Sequence, residues 1–302
     1  MNGYFNINKP SGMSSAAVVA VLRRLTGEKR VGHAGTLDPE AAGVLPVMTG
    51  KATRLFDYLA DKDKEYVAVC AFGTATDTQD ATGHITERGS NYPDRDTFLA
   101  AAVQLTGDII QTPSIYSAIK VGGKPLYLRA RRGETVDVPQ RIVRIDGIEL
   151  IRETDGHGFE IRVHCGRGTY IRTLCADLGK LCGCPAHMQS LTRTRSGAFR
   201  IEEAITLEEA RELAGSGGLT DRLLPADYAL GHIPRADMPE KFRKLIANGA
   251  KMPLTDETAS LKEGESVRIY LEGCFWGIAA RREKELAWKV QIAPEGGPEE
   301  MN

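Results

Sequence analysis

Short segments in which apolar and polar residues alternate are the feature that most constrains how this chain of 302 residues can fold. In residues 159–165, and again in residues 286–292, every second position is apolar. Such alternation is typical of a strand that buries one face. Residues 66–72 and 141–151 are further strand candidates. The pattern therefore predicts a framework in which half-buried strands are prominent.

Helix signals lie between these strands. A capping box at Thr206-Leu207-Glu208-Glu209 predicts a helix that begins after Thr206. Glycines and prolines interrupt residues 32–50, which we predict to be a loop followed by a short packed segment. Further helices are predicted over residues 16–25 after Ser14 or Ser15 and before Gly27, over residues 96–105 before Gly107, and over residues 170–181 after a Gly-rich turn.

The character of the sequence changes near Gly231. A short helix over residues 241–247 is followed by three short predicted strands, at residues 266–271, 275–281 and 286–292. Short alternating strands in about 60 residues are typical of a small barrel-like module closed by its own sheet. We therefore expect a large domain over residues 1–231 and a small β-rich domain over residues 232–302.

A basic segment interrupts the large domain. Residues 111–138 are polar and show little periodicity, which is typical of a long and often functional loop. The formal net charge of the whole chain is −1, which argues against coating nucleic acid by bulk charge. A solvated surface is an equally good interpretation of the charge run alone. The run from 120 to 144 holds Lys120, Lys124, Arg129, Arg131, Arg132, Arg141 and Arg144 against Glu134 and Asp137.

Several classes of protein are disfavoured by motifs that the sequence lacks. It has no apolar run of 18 residues and no signal peptide pattern, so we expect a cytoplasmic protein with no membrane partner. It has no phosphate-binding loop, dinucleotide fingerprint or Gly-x-Ser-x-Gly elbow. Cys182, Cys184 and His187 lie close together, with Cys175 upstream, but Cys-x-Cys is not a usual zinc spacing. We therefore predict no metal site.

The most unusual local stretch is residues 32–46, which set Asp38 between glycines and Pro39. A proline restricts the residue before it to an extended backbone, which can direct the Asp38 carboxylate outward. On this pattern alone, an aspartate that begins a helix is the favoured interpretation.

The stretch resembles the catalytic motif of the TruB family of tRNA pseudouridine-55 synthases. Other motifs similar to those of the family follow in the family's order, almost from end to end of the chain. They are residues 9–15, residues 61–66, the acidic segment 73–83, the start of an RNA-gripping insertion at 113–120, and the arginine motif 165–173. Several motifs in one order are more specific than any single motif.

The resemblance implies three catalytic residues. Asp38 is expected to be the nucleophile, Tyr66 to stack on the target base and to take part in proton transfer, and Arg172 to pair with Asp38. Without the family motifs, Tyr66 would be interpreted as a core strand residue and Arg172 as part of a surface ion pair.

Six further residues are expected to bind the substrate or to support the site. The resemblance implies that Asp80 supports Arg172, and that His33 fills the gap left by the flipped base. Tyr170 and Leu191 are expected to line the uracil pocket. Lys9 is expected to support the site, and Lys120 to contact RNA.

The resemblance also implies a fold and a reaction. The fold would be α+β, a mixed and mainly antiparallel sheet flanked by helices, with an insertion near residues 111–141 and a PUA-like RNA-binding domain at the C-terminus. The reaction would isomerise uridine 55 of the tRNA T-loop after base flipping. It would need no cofactor and no obligate protein partner, and the enzyme would be a monomer.

Two alternatives stay open. A guide-dependent pseudouridine synthase is related in sequence but relies on partner proteins and guide RNA. The absence of a long Lys-rich tail and the full N-terminal motif set favour the stand-alone enzyme. The second alternative is an RNA-folding chaperone in which catalysis is secondary, and the resemblance is compatible with both activities in one chain.

Overall fold

The computed structural model describes residues 1–59, 63–117, 119–130, 132, 134 and 136–293. The helices are α1 Ser15–Thr26, α2 Arg95–Gln104, α3 Leu126–Ala130, α4 Ile171–Cys182, α5 Leu207–Ser216 and α6 Arg243–Ala247. Short 3-10 helices cover Gly50–Tyr58, Ile201–Glu203, Leu219–Arg222 and Glu240–Phe242. The strands are β1 Gly3–Lys9, β2 Val31–His33, β3 Ala42–Thr49, β4 Lys64–Phe72, β5 Thr74–Thr76, β6 Ile85–Arg88, β7 Gly107–Gln111, β8 Lys120–Val121, β9 Lys124–Pro125, β10 Arg141–Thr154, β11 Gly158–Cys165, β12 Ala186–Ser196, β13 Phe199–Arg200, β14 Leu224–Pro225, β15 Arg235–Asp237, β16 Met252–Pro253, β17 Ser266–Leu271, β18 Cys274–Arg282 and β19 Glu285–Gln291.

These elements form two compact units. The first consists of Met1–Asp38, Leu45–Asp61 and Gly197–Asn302, and the second of Pro39–Val44 and Lys62–Ser196. Strand β3 begins in the second unit and ends in the first.

The second unit is built on a mixed sheet with the strand order β3-β12-β4-β11-β10-β7. Its pairs are antiparallel except for β12 and β3, which are parallel. Helices α2 and α4 pack on this sheet. The predicted α+β class, with a mainly antiparallel sheet flanked by helices, is confirmed.

Alternation along β4 explains which face the helices cover. Tyr66, Ala68, Cys70 and Phe72 are buried, and the residues between them are half-buried. The Sγ of Cys70 donates a hydrogen bond to the carbonyl of Cys175 in α4 (3.7 Å). Because side chains two residues apart share a face, α4 lies on the face that carries Tyr66.

The first unit contains the N-terminal helix α1 and strand β1. Ser14 caps α1 by accepting a hydrogen bond from the amide of Ala17, and Gly27 ends the helix at a φ of 66°. Strand β1 pairs antiparallel with β14, and β2 pairs antiparallel with β3. Helix α5 begins with the capping box predicted at Thr206.

Five strands near the C-terminus form a sheet of their own, with the order β15-β17-β18-β19-β16. Its core contains buried Ile269, Trp276 and Leu286. This confirms the β-rich C-terminal domain. The compact unit that holds the sheet also contains Met1–Asp38, Leu45–Asp61 and the chain from Gly197 onward, so the boundary at residue 231 stays a prediction.

Four segments illustrate where the structure differs from the sequence predictions. Residues 32–50 contain two strands, β2 and β3, on either side of a shorter loop. Strands β1 and β12 were not predicted, since β12 carries charged and hydroxyl side chains that hide the alternation of a strand. The helix near residue 241 starts as the 3-10 turn Glu240–Phe242 and is α-helical only from Arg243. Among the described residues, no helix is long and apolar enough to cross a membrane.

We expect Phe98→Ala to lower the free energy of unfolding by about 3–5 kcal/mol, the usual cost of removing a buried ring. Phe98 of α2 is fully buried and stacks on Phe159 of β11, with ring centroids 4.3 Å apart. Urea unfolding monitored by circular dichroism measures the change. Val103→Ala is the control, because Val103 lies on the same helix but is 74% exposed. Equal losses in the two variants would contradict the packing described here.

Candidate functional site

The residue before Asp38 is held by a pair of hydrogen bonds. The amide of Leu37 donates to Ser15 Oγ, and the Ser15 hydroxyl donates to the Leu37 carbonyl, both at 2.9 Å. Leu37 and Ser15 are buried, whereas Asp38 is half-buried. The contact therefore anchors the loop immediately before Asp38 and leaves the carboxylate partly accessible.

Strand register in the second unit brings two predicted pocket residues to one face. Tyr66 in β4 lies opposite Arg193 in β12, and Ala68 lies opposite Leu191. Tyr66 and Leu191 are each 8% exposed. Residues that alternate along two paired strands share a face, so Tyr66, Leu191 and Arg193 lie on the same side of the sheet.

Arg172 connects two loops at the start of α4. Its guanidinium donates to the carbonyl of Thr78 (3.0 Å), to Asp80 Oδ2 (3.4 Å) and to the carbonyl of Tyr116 (3.1 Å). Arg172 is only 5% exposed. A planar guanidinium with several acceptors is held in one orientation. The predicted proximity of Asp80 and Arg172 is therefore present, and Tyr116 is a partner that the sequence did not indicate.

The loop that carries Asp80 is itself fixed. Asp80 Oδ1 accepts hydrogen bonds from the hydroxyls of Thr78 (2.7 Å) and Thr82 (2.6 Å). The amide of Met188 in β12 donates to the carbonyl of Gln79 (3.0 Å). Because both the side chain and the backbone are held, Asp80 offers Arg172 an acceptor at a defined position.

Tyr170 is positioned by Gln111, a residue that sequence analysis missed. Gln111 is fully buried at the end of β7. Its Oε1 accepts from the amide of Tyr170 (3.0 Å), and its Nε2 donates to the Tyr170 carbonyl (3.2 Å). No sequence signal marked Gln111, since the contact joins positions that are far apart in the chain.

The other predicted site residues lie in different surroundings. Lys9 is fully buried, and its ammonium donates to the carbonyls of Pro10 (2.8 Å) and Met13 (2.6 Å), which supports the turn before α1. His33 is half-buried at the end of β2. The backbone of Lys120 forms part of β8, and its side chain is outside the described part of the structure.

The basic segment is less uniform than its composition indicates. Arg129 pairs with Glu134 (2.6 Å). Arg144 bonds to Asp63 (3.1 Å) and to Asp146 (2.8 Å). Two of the predicted RNA-contacting charges therefore already have carboxylate partners, and Arg131 lies outside the described residues.

Three buried cysteines of this unit are poor candidates for a nucleophile. Burial raises the pKa of Cys70 well above its usual range. It also raises the pKa of Cys165 to about 11, and burial together with nearby Cys184 raises that of Cys182 to about 11. These groups are thiols at neutral pH, and the thiolate is the reactive form. His187, the histidine near Cys182 and Cys184 in the sequence, has its Nδ1 2.9 Å from the carbonyl oxygen of Thr74.

Glu65, next to Tyr66 in β4, holds the opposite face of the same strands. Its carboxylate accepts hydrogen bonds from Thr194 (2.6 Å) and Arg162 (3.0 Å). Burial alone would raise the pKa of Glu65, but these bonds and the charges of His164 and Arg162 outweigh it, so the pKa is lowered. The ionised carboxylate therefore stabilises the pairing of β4 with β11 and β12.

Family models and curated relatives agree on one family. Residues 23–171 match the model described as the TruB family pseudouridylate synthase N-terminal domain, and residues 172–231 match the tRNA pseudouridylate synthase B C-terminal domain. The tRNA pseudouridine synthase B of Bacillus licheniformis is 40% identical over 277 residues, which cover 90% of each chain. That of Geobacillus thermodenitrificans is 43% identical over 261 residues, 84% of this chain and 86% of the relative.

Solved structures give the same result for the fold. A Cbf5-Nop10-Gar1 complex contains a chain with a TM-score of 0.71 and 28% identity, and the match covers 96% of this chain and 84% of that one. The archaeal box H/ACA sRNP Nop10-Cbf5 complex matches with a TM-score of 0.69 and 27% identity, over 96% of this chain and 85% of that one.

We expect Glu65→Gln to lower the free energy of unfolding at neutral pH by on the order of 1 kcal/mol, because charge-assisted hydrogen bonds are lost. The folded-state pKa of Glu65 is below the usual 4.5, so its contribution is present above that pH and is lost as the pH falls through the folded pKa. Urea unfolding across this range should show the two proteins converging in acid. Glu149→Gln is the control, since Glu149 contacts the same Arg162 (3.5 Å) but is 64% exposed. A difference that is constant with pH would contradict this role.

Proposed function

This chain belongs to the TruB family of pseudouridylate synthases, and from that membership we propose that it isomerises uridine 55 in the T-loop of tRNA, with Asp38 as the nucleophile. The observation that carries the proposal is the match of residues 23–171, which include the Asp38 loop, to the TruB N-terminal domain. The clamp of Ser15 on Leu37 supports it, because an aimed nucleophile needs a fixed backbone.

The reaction depends on positioning of the uridine and on proton transfer, and it needs no group from a second molecule. The glycosidic C–N bond breaks, the base turns, and a C–C bond forms to the same sugar, so substrate and product contain the same atoms. No electrons or groups are exchanged with a second molecule, and we propose that the reaction uses no cofactor. A carboxylate can add to the base or the sugar, or can start elimination by abstracting a proton, and both routes fit Asp38.

The uracil pocket is proposed to consist of Tyr66, Leu191 and Tyr170. The shared face of Tyr66 and Leu191 supports this, since a flat aromatic ring beside an aliphatic side chain suits a stacked base. Tyr66 also carries a hydroxyl that can move a proton. Gln111 supports Tyr170 by holding both of its backbone groups.

Arg172 is proposed to pair with Asp38 during the reaction. A nearby guanidinium favours the ionised form of a carboxylate, and only that form is nucleophilic. The three hydrogen bonds that Arg172 donates, one of them to Asp80, support a fixed position for its charge. The pairing itself stays a prediction.

The RNA must present its base outside the stack. A T-loop offers splayed bases, and extruding a base from such a loop costs less than from a regular duplex. We propose that His33 fills the vacated space, and that Lys120 and other basic residues of the insertion contact phosphates, which position the RNA without reading its sequence. The PUA-like C-terminal domain is proposed to add RNA contacts.

Independence from partner proteins is a separate proposal. The two structural neighbours described above were solved in complexes with other proteins. We propose that this chain acts alone, as a cytoplasmic monomer, and that promotion of tRNA folding is a second activity of the same surface. Incubating the purified protein with one tRNA transcript and mapping pseudouridine tests the first point. Refolding of tRNA by a catalytically inactive variant tests the second.

We expect Asp38→Asn to abolish pseudouridine formation at position 55 and to change the tRNA dissociation constant by less than about tenfold, because most of the affinity comes from phosphate contacts. Sequencing of pseudouridine sites and filter binding measure the two effects. Glu40→Gln in the same loop serves as a control for general loss of charge. A normal product yield from Asp38→Asn would remove Asp38 as the nucleophile.

We expect Arg141→Ala to weaken tRNA binding and to reduce the slope of log K against log salt by about 0.7–0.9, the effect of one lost phosphate contact. Arg141 Nε meets no acceptor among the described residues, and its guanidinium lies 6.0 Å from the centre of the Tyr170 ring. Arg144→Ala is the matched control on the same strand, because Arg144 already pairs with two carboxylates. Equal slopes for Arg141→Ala and the unchanged protein would show that Arg141 is not an RNA contact.

A further inference from the structure

We propose that Arg193 is a positioning residue of the reaction, which fixes the backbone that follows Asp38 without touching the substrate. The inference depends on the proposed role of Asp38 and extends it to a residue outside the expected site. Arg193 lies in β12, the strand that alternation did not predict.

The burial of Arg193 is unusual for a charged side chain. It is 1% exposed and is the first among the largest fully buried side chains of the described residues. Taking a cation out of water costs several kcal/mol, and apolar side chains of similar volume often replace buried charges without loss of stability. A guanidinium at this position is therefore better explained by the hydrogen bonds that it directs than by packing.

One of those bonds reaches the segment that begins after Asp38. Arg193 Nε donates to the carbonyl of Val44 at 2.8 Å. Val44 is fully buried, so its carbonyl oxygen needs a hydrogen-bond donor from within the protein. Because Nε is the inner nitrogen of the guanidinium, this bond fixes the direction of the whole side chain as well as the position of Val44.

A second contact joins the same two segments through their backbones. Arg193 lies opposite Gly43 in the parallel pairing of β12 with β3. A Cβ on residue 43 would lie 2.2 Å from the Arg193 carbonyl oxygen and 2.8 Å from its nitrogen, and Gly43 has a φ of 102°. Only glycine permits both this approach and this conformation. The start of β3, residues 42–44, is thus docked on β12 by its backbone and by the Arg193 side chain.

Asp38 is separated from this docked start of β3 by three residues. On its other side, Leu37 is held by Ser15. Pro39 restricts the backbone of Asp38 itself. Since only four residues separate Asp38 from Gly43, a shift of the docked segment is passed on to the Asp38 carboxylate. Misplacing a reacting group by about 1 Å can cost on the order of 100-fold in rate.

The test compares Arg193→Lys with Arg195→Lys. Lysine keeps the charge and approximate length of Arg193 but has a methylene where Nε donates. Arg195 lies on the same strand and is half-buried, so it controls for the substitution itself. We expect Arg193→Lys to lower the single-turnover rate at saturating tRNA by about 10–100-fold and to leave the tRNA dissociation constant within about threefold. We expect Arg195→Lys to keep the rate within about threefold.

Thermal melting decides whether a slow variant is merely unfolded. If Arg193→Lys does not melt cooperatively, Arg193→Met takes its place, because an apolar side chain of similar volume removes the buried charge and its donors together. A folded Arg193→Lys or Arg193→Met with the unchanged rate overturns the proposal. Equal losses of rate and tRNA affinity also overturn it, since they indicate a general structural role.

Chemical rescue separates positioning from stability. In Arg193→Ala, added methylguanidine should restore part of the rate in a saturable manner, whereas it should not rescue Asp38→Asn. Restored melting without restored rate would overturn the proposal. Failure of the proposed function is distinguishable, because the unchanged protein would then form no pseudouridine or Asp38→Asn would stay active.

Discussion

The close approach of β3 to β12 at Gly43 is the constraint on which the second unit depends. These strands form the parallel pair of a sheet whose other described pairs are antiparallel. A side chain at residue 43 would collide with the backbone of Arg193. The glycine therefore lets the chain that leaves Asp38 enter the sheet directly. A loop that enters a sheet within a few residues of a reactive group is much stiffer than one that ends in another loop.

Strand register then determines which side chains can meet. The pairing of β4 with β12 sets Tyr66 opposite Arg193 and Ala68 opposite Leu191, and a slip of one residue would turn each to the other face. Glu65 resists such a slip, because its carboxylate joins Thr194 in β12 to Arg162 in β11. The polar face of β4 therefore maintains the geometry of the face that is proposed to hold the base.

Local patterns predicted the elements that local physics determines. Alternation predicted β11 and β19, the strand candidates at residues 66–72, 266–271 and 275–281 correspond to β4, β17 and β18, and capping residues predicted α1 and α5. The motif around Asp38 marked its loop, but neither β12 nor the contacts of Gln111 left a local signal. A pattern in a single sequence predicts that an arginine lies on the surface. Arg193 is buried because acceptors from a distant part of the chain, such as the Val44 carbonyl, bind its guanidinium.

The arginines of this chain show why counting charges is a poor guide to RNA binding. Arg193 is buried, Arg172 is buried and donates to three acceptors of the protein, and Arg144 pairs with two carboxylates. With a net charge of −1, attraction for a polyanion comes from the local field of the charges that lack such partners. If Asp63 and Asp146 lay elsewhere in a chain of the same composition, Arg144 would be unpaired. The RNA-binding surface and the salt dependence of RNA binding would then be different. Affinity for RNA is thus decided by which cations the fold leaves uncompensated, and that depends on the same tertiary contacts that order the sheet.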